Sequence, residues 1–218
     1  LFVTGPTGSG KSTTLYSILR HLNTGDTNIL TAEDPVEVRF GDMNQSQVDS
    51  EIELTFARLL RAFLRQDPDV MLVGEIRDEE TAQIAVQAAQ TGHLVLATIH
   101  ANDSFIVLPR LRNLGISASQ VVSTFRGVIG QRLVREVCPQ CSEEYDGAAE
   151  LNGVFGGSIF AQGRVVLKRP RPRRRGAFCQ QCNDTGYIGR IPVVELWIPS
   201  AEEQEKILYD TNTTHDQL

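Results

Sequence analysis

Short, nearly unbroken apolar runs alternate with helical stripes over the first two thirds of the chain. The runs are Leu1–Val3, Asn28–Ala32, Val70–Val73 and Leu94–Ile99. They lack the polar alternation of a half-exposed strand, and strands of that texture are covered on both faces, as in a mainly parallel sheet. Between them, Leu15, Ile18, Leu19 and Leu22 recur at helical spacing and predict a helix that begins at Lys11. Phe56, Leu59, Leu60, Phe63 and Leu64 mark a second stripe, and Ala82, Ala85, Val86 and Ala89 a third. Two more helices are expected near Val107–Leu114 and Ala118–Phe125, separated by Gly115. The alternation predicts an α/β core over residues 1–135. Beyond Cys138 the texture changes. Gly147 to Gly176 is rich in glycine and arginine, has no sustained periodicity, and reads as an exposed insertion. A strand over Ile191–Ile198, broken near its start by Pro192, and a short helix over Glu202–Tyr209 follow.

Composition changes this picture little. With 41% hydrophobic and 22% charged residues, the 218-residue chain can bury a sizeable core. No apolar run approaches membrane-spanning length and no signal peptide is present. Because Leu1 already lies inside the first strand, the natural N-terminus is expected upstream. A net charge of −6 argues against general nucleic-acid binding. One stretch opposes the trend: Arg164 to Arg175 holds seven of the 21 basic residues. Its prolines suggest extended, solvated chain, with anionic lipid headgroups or incidental nucleic-acid contact as the alternatives to a plain surface loop.

The chemistry begins with Gly5-Pro6-Thr7-Gly8-Ser9-Gly10-Lys11-Ser12, the phosphate-binding pattern G-x-x-x-x-G-K-[ST]. Its glycines let successive amides line a concavity sized for a β-phosphate. Lys11 reaches the outer phosphates, and Ser12 is placed for Mg²⁺. A strand before it and a helix after it supply the context this motif requires. The residues from Gly5 through Ser12, with Thr13 after them, are the expected nucleotide site, which makes ATP and Mg²⁺ the expected ligands.

Acids and a histidine follow the other strands. Glu33 and Asp34 come directly after the second run, Glu75 one glycine after the third, and His100 closes the fourth. In a parallel sheet all of them reach the edge where open α/β folds bind ligands. Asp34 and Asp78 are equally readable as helix caps. His93 follows a helix-ending glycine and has two readings, satisfying a buried carbonyl or touching nucleotide. Arg58, Arg61 and Arg65 form a stripe opposite the apolar face of their helix.

Four cysteines form two C-x-x-C pairs, Cys138/Cys141 and Cys179/Cys182. Two such clamps complete a tetrahedral S₄ site, and full occupancy by protein sulfur makes the metal structural; zinc is the expected ion.

Several of these segments resemble motifs of one family. Thr31-Ala-Glu-Asp-Pro-Val-Glu37 is similar to its Asp box, Gly74-Glu-Ile-Arg-Asp78 to its atypical Walker B, and the stretch from Thr91 to Asp103 to its His box. The family is the type II secretion and type IV pilus assembly ATPases. The resemblance extends from residue 1 to about 198, through Leu60–Asp69 and Gln131–Arg135. It departs from the family pattern at Leu59, at Glu51–Leu54 and at Ile191-Pro192, none of which is a phosphate-contacting position.

What the resemblance implies is a RecA-like ATPase core over 1–135, a tetracysteine zinc module over 136–198 with the basic insertion 147–177, and the start of a C-terminal helical segment over 199–218. Glu33 would polarise the attacking water, Glu75 would serve the Mg²⁺ site with Ser12, and His100 would respond to the γ-phosphate, with the identity of the base left between Glu33 and Glu75. Arg61 or Arg65 would meet a neighbouring subunit of a homo-hexamer. The motor would be cytoplasmic, peripheral at the inner-membrane face, and would act on an inner-membrane platform protein. Within the family the cysteine element goes with assembly and secretion motors rather than retraction motors. Members carry a further domain ahead of this core that supplies arginines to the site, so this stretch alone is expected to bind ATP–Mg²⁺ and hydrolyse it poorly. The rival readings are a nucleic-acid-translocating RecA-like ATPase, a DNA-uptake pseudopilus ATPase, and a zinc adaptor that binds nucleotide without hydrolysing it.

Overall fold

A computed structural model describes residues 1–101, 103–155, 165–171 and 178–209. Seven strands form one sheet in the order β3-β2-β4-β5-β1-β6-β9. They are β1 (Phe2–Thr4), β2 (Ile29–Glu33), β3 (Asn44–Gln47), β4 (Val70–Val73), β5 (Leu94–Thr98), β6 (Val128–Val137) and β9 (Tyr187–Trp197). From β3 through β6 every pairing is parallel. The helices are α1 (Lys11–Leu22), α2 (Phe56–Phe63), α3 (Glu79–Gln90), α4 (Val107–Asn113), α5 (Ala118–Thr124), α6 (Ala148–Phe155) and α7 (Ala201–Tyr209). A separate antiparallel pair joins β7 (Ser142–Asp146) to β8 (Val166–Pro170).

The unbroken apolar texture of the strands has a direct cause. Successive residues of a strand face opposite sides, and both sides of this sheet are covered. Val70 and Leu72 of β4 join Val3, Ile29 and Leu96 beneath Leu15, Tyr16 and Leu19 of α1. Met71 and Val73 face the other way, with Leu30, Ala32, Ala97 and Val128, against α2, α3, α4 and α5. Polar residues end and begin the helices. Thr55 accepts from the Arg58 amide at the start of α2, Asp78 from Thr81 at α3, and Ser117 with Gln120 forms a capping box at α5.

The chain divides into two compact units, residues 1–132 with 192–218, and residues 133–191. The first carries the apolar core. In the second, the buried apolar side chains among the described residues are Cys138 and Cys182 themselves.

Three expectations differ from the structure. Pro192 does not interrupt its strand: β9 runs through it at the edge of the sheet, where strands tolerate proline. The segment read as an exposed insertion without sustained periodicity contains α6 and β8. Strand β3, Asn44-Gln-Ser-Gln47, has no apolar signal and is held by backbone pairing to β2. Of the basic run, Arg164 and Arg173 to Arg175 lie outside the described residues, whereas Lys168 and Arg169 on β8 pair with Glu144 and Glu143 of β7. Asn102 and residues 210–218 of the expected C-terminal segment also lie outside them. Among the described residues no helix is long and apolar enough to cross a membrane.

Candidate functional site

Because β1, β2, β4 and β5 are parallel, the loops after them share one edge of the sheet. Residues 5–10 leave β1 and turn into α1. Gly10 takes the left-handed conformation (φ 86°) as the cap of α1, where a side chain would be strained. Gly5 is fixed by crowding: a Cβ there would lie 2.2 Å from the Gln131 carbonyl oxygen. Gln131, on β6 and buried, donates from Nε2 to the Ser9 carbonyl (2.7 Å) and accepts from the Thr14 hydroxyl (2.7 Å). It braces the loop from the neighbouring strand. Lys11 Nζ donates to the carbonyls of Gly5 (3.0 Å) and Pro6 (3.1 Å). Burial lowers its pKa, and the carboxylates of Glu75 and Glu37 oppose that shift.

Ser12, Glu33, Glu37, Glu75, Arg77 and Thr98 line one cavity of about 80 Å³ at this edge. Glu33 ends β2 and is 4% exposed. It accepts hydrogen bonds from the hydroxyls of Tyr16 and Thr31 and from the Gln45 amide. Glu75 binds Arg77 on one oxygen (2.5 Å) and His100 on the other (2.6 Å), and Arg77 also approaches Asp34 (3.6 Å). Glu33, Glu75 and His100, separated by tens of residues in the chain, therefore meet beside the loop. Burial, and after it the Glu33 carboxylate, pushes the Tyr16 phenol up to about 12, so it keeps its proton and donates.

The remaining expected residues sort themselves by contact. Asp78 caps α3, and Asp34 pairs with Arg77. His93 Nδ1 lies 2.9 Å from the Ala88 carbonyl and 3.0 Å from the Thr91 hydroxyl, at the end of α3. Arg61 pairs with Glu80 (2.5 Å) and Arg58 contacts Glu53, whereas Arg65, expected on the same helix stripe, is exposed in the turn after α2 ends at Phe63. Four residues at the site carried no distinct signal in the sequence. Glu37 accepts from the Ser12 hydroxyl (3.3 Å), and Arg77, Gln131 and Tyr16 have the contacts given above. Each lies within or beside a recognised motif, but only the fold shows what it touches. A larger cavity, about 260 Å³ and mostly apolar, lies at the opposite strand ends, around Leu1, Leu94 and Phe125, away from the acids.

The loop fits a phosphate. Its donors are backbone amides and Lys11, and the buried Ser9 hydroxyl has no hydrogen-bond partner among the described residues. The four cysteines fit a metal. Their sulfurs all lie within 4.8 Å of one another, with Cys138–Cys179 at 3.8 Å and Cys141–Cys182 at 3.4 Å. Tetrahedral zinc thiolate bonds of about 2.3 Å would separate sulfurs by about 3.8 Å. Asp184 holds the Cys179 amide (2.7 Å), and Asn183, Asp184 and Gly186 all take positive φ to turn the second knuckle. Burial opposes ionisation of Cys182, yet the Gly186 amide and the other three thiols outweigh it and bring Cys182 down to about 7. Its neighbour Cys141, tied to Cys182 by a hydrogen bond, is pushed up to about 12.

A phosphate loop on a parallel strand, with carboxylates at the same edge of the sheet after β2 and β4, defines a P-loop α/β protein. The chain belongs to the type II/IV secretion system protein family, whose model matches residues 1–217. It is 48% identical over 207 residues to the type II secretion system ATPase E of Vibrio cholerae, a match covering 95% of this chain and 40% of that one. It is 47% identical over 203 residues to the type IV pilus assembly ATPase PilB of Myxococcus xanthus, covering 90% and 34%. Among solved structures it resembles the pilus retraction motor PilT with bound ADP, at 30% identity and a TM-score of 0.64, covering 95% of this chain and 49% of that one. The chain thus spans about two fifths of the length of the curated relatives it matches.

Proposed function

We propose that this chain is the ATP-hydrolysing core of a motor for type II protein secretion or type IV pilus assembly. The observation that carries the reading is the convergence of Ser12, Glu33 and Glu75 on one cavity beside the loop. Backbone amides between Gly5 and Thr13, other than at Pro6, and the Lys11 ammonium would bind the phosphates, with Lys11 exchanging its two carbonyl partners for phosphate oxygens. Ser12, with Glu75 and Glu37 nearby, would hold Mg²⁺, whose contribution is to neutralise charge developing on the β/γ-oxygens. Glu33 orients and accepts a proton from the attacking water, and His100, held by Glu75, senses the γ-phosphate. The relatives' names, ATPase E and PilB, and the ADP bound to PilT support the nucleotide and the reaction class.

The finer parts of the reading extend the resemblance in the sequence motifs. The motor is a homo-hexamer with nucleotide at subunit interfaces, where Arg61 or Arg65 completes a neighbour's site. It works in the cytoplasm against an inner-membrane platform protein. The four cysteines hold one structural zinc. The test is ATP turnover by the full-length protein. Glu33→Gln is expected to lower kcat at least a hundredfold while ADP binding persists; unchanged turnover overturns the assignment of Glu33. Absence of any heat on titrating adenine nucleotide into folded, metal-replete protein overturns the whole reading.

A further inference from the structure

Tyr16 sits on the apolar face of α1, 6% exposed, with its ring edge against Phe40 at a centroid distance of 5.2 Å. A phenylalanine would satisfy that packing. The hydroxyl does something else: it donates to Glu33 Oε2 and accepts from the Glu37 amide at 3.3 Å. The other Glu33 oxygen, Oε1, takes two donors, Thr31 (2.6 Å) and Gln45 (3.1 Å). A carboxylate has about four acceptor sites. Two donors fill Oε1, so Oε2, which among the described residues accepts from Tyr16 alone, is the oxygen with capacity to accept from a water. Tyr16 also lies one helical turn after Ser12, so its backbone moves with the phosphate loop, while the residues it grips belong to β2 and the segment that follows.

We propose that Tyr16 is a positioning residue for Glu33. Its hydroxyl fixes the rotation of the carboxylate and ties it to the phosphate-loop helix, so that acid and loop move as one body. The same hydroxyl anchors the Glu37 amide, and with it the segment that brings Glu37 to Ser12. The proposal rests on the assignment of Glu33 given above, and the test separates the two.

Steady-state MgATP turnover is measured on the full-length protein for wild type, Tyr16→Phe, Glu33→Gln and the double variant, with ADP affinity measured in parallel. Tyr16→Phe is expected to lower kcat by about tenfold to a hundredfold, the range for a displaced catalytic group, with KM for ATP and ADP affinity within about twofold of wild type. In the Glu33→Gln background it adds no further loss, because the group it positions is gone. An unchanged kcat in Tyr16→Phe beside an inactive Glu33→Gln overturns the proposal and leaves the Glu33 assignment standing. Fully additive losses overturn it as well. An active Glu33→Gln removes the assignment and the proposal together. Where the phenylalanine variant does not fold, 3-fluorotyrosine at position 16 keeps the shape and alters donor strength: a changed kcat supports the proposal, and one indifferent to the fluorine overturns it.

Discussion

The two compact units hold their functional side chains by opposite means. In the first, Ser12, Glu33, Glu75 and His100 stand on strand ends and a helix start, and a core such as Leu30, Met71, Leu96 and Ile99, each at most 2% exposed, fixes those ends. Burial of an aliphatic side chain of this kind is worth about 1.5–3 kcal/mol, so the scaffold stands whether or not ligand is bound. The second unit has no aliphatic or aromatic side chain buried among its described residues; the buried apolar groups are two of the four cysteines. There the site is the core. A region so small and poor in apolar burial depends on a staple. A pre-formed scaffold holds its side chains in place without a ligand, and a region without an apolar core needs a cross-link to stay folded.

That contrast can be broken in four places. The largest effect is expected from removing the metal. Chelation, or Cys182→Ser, should abolish stoichiometric zinc and on the order of 10 kcal/mol of apparent folding free energy from residues 133–191. Hydrogen exchange should then rise across that unit first and leave β1, β2, β4 and β5 protected; a uniform rise would mean the two units fold as one. Next comes Glu33→Gln, whose loss of at least two orders of magnitude in kcat should appear with zinc content unchanged, as metal analysis of the same sample will show. Asp78→Ala should cost about 1 kcal/mol by removing the cap of α3, measured as a shift in denaturant midpoint with the metal retained. The smallest effect on stability is expected from Arg61→Ala. Its pair with Glu80 is exposed on both sides and worth at most about 1 kcal/mol, yet turnover in an assembled ring should fall more than ATP affinity. Equal rates would confine Arg61 to its surface pair.

How much of this was legible beforehand depended on whether the signal was local. The phosphate loop is eight contiguous residues. The parallel strands announce themselves because both faces are buried, and the cysteine knuckles by their spacing. Glu33, Glu75 and His100 could be placed because each follows an apolar run. What escaped was whatever depends on a contact across the fold. Tyr16 stands beside the stripe of α1 without a signal of its own, and its hydroxyl has meaning only once β2 lies beside it. Gln131 reads as an ordinary polar residue in a strand until its amide is seen spanning Ser9 and Thr14. Strand β3 is polar throughout, so its existence is a property of β2's free edge more than of its own side chains. Pro192 looked like a break because a sequence does not say which strand lies outermost.

The brace between Gln131 and the loop joins atoms of residues 122 positions apart. During synthesis at about 5–20 residues per second, the phosphate loop must wait on the order of ten seconds before its partner strand leaves the ribosome. The stretch that would grip nucleotide is thus made well before the strand that braces it. A chain cut short before β6 would therefore keep the whole loop sequence and lack the side chain that spans it.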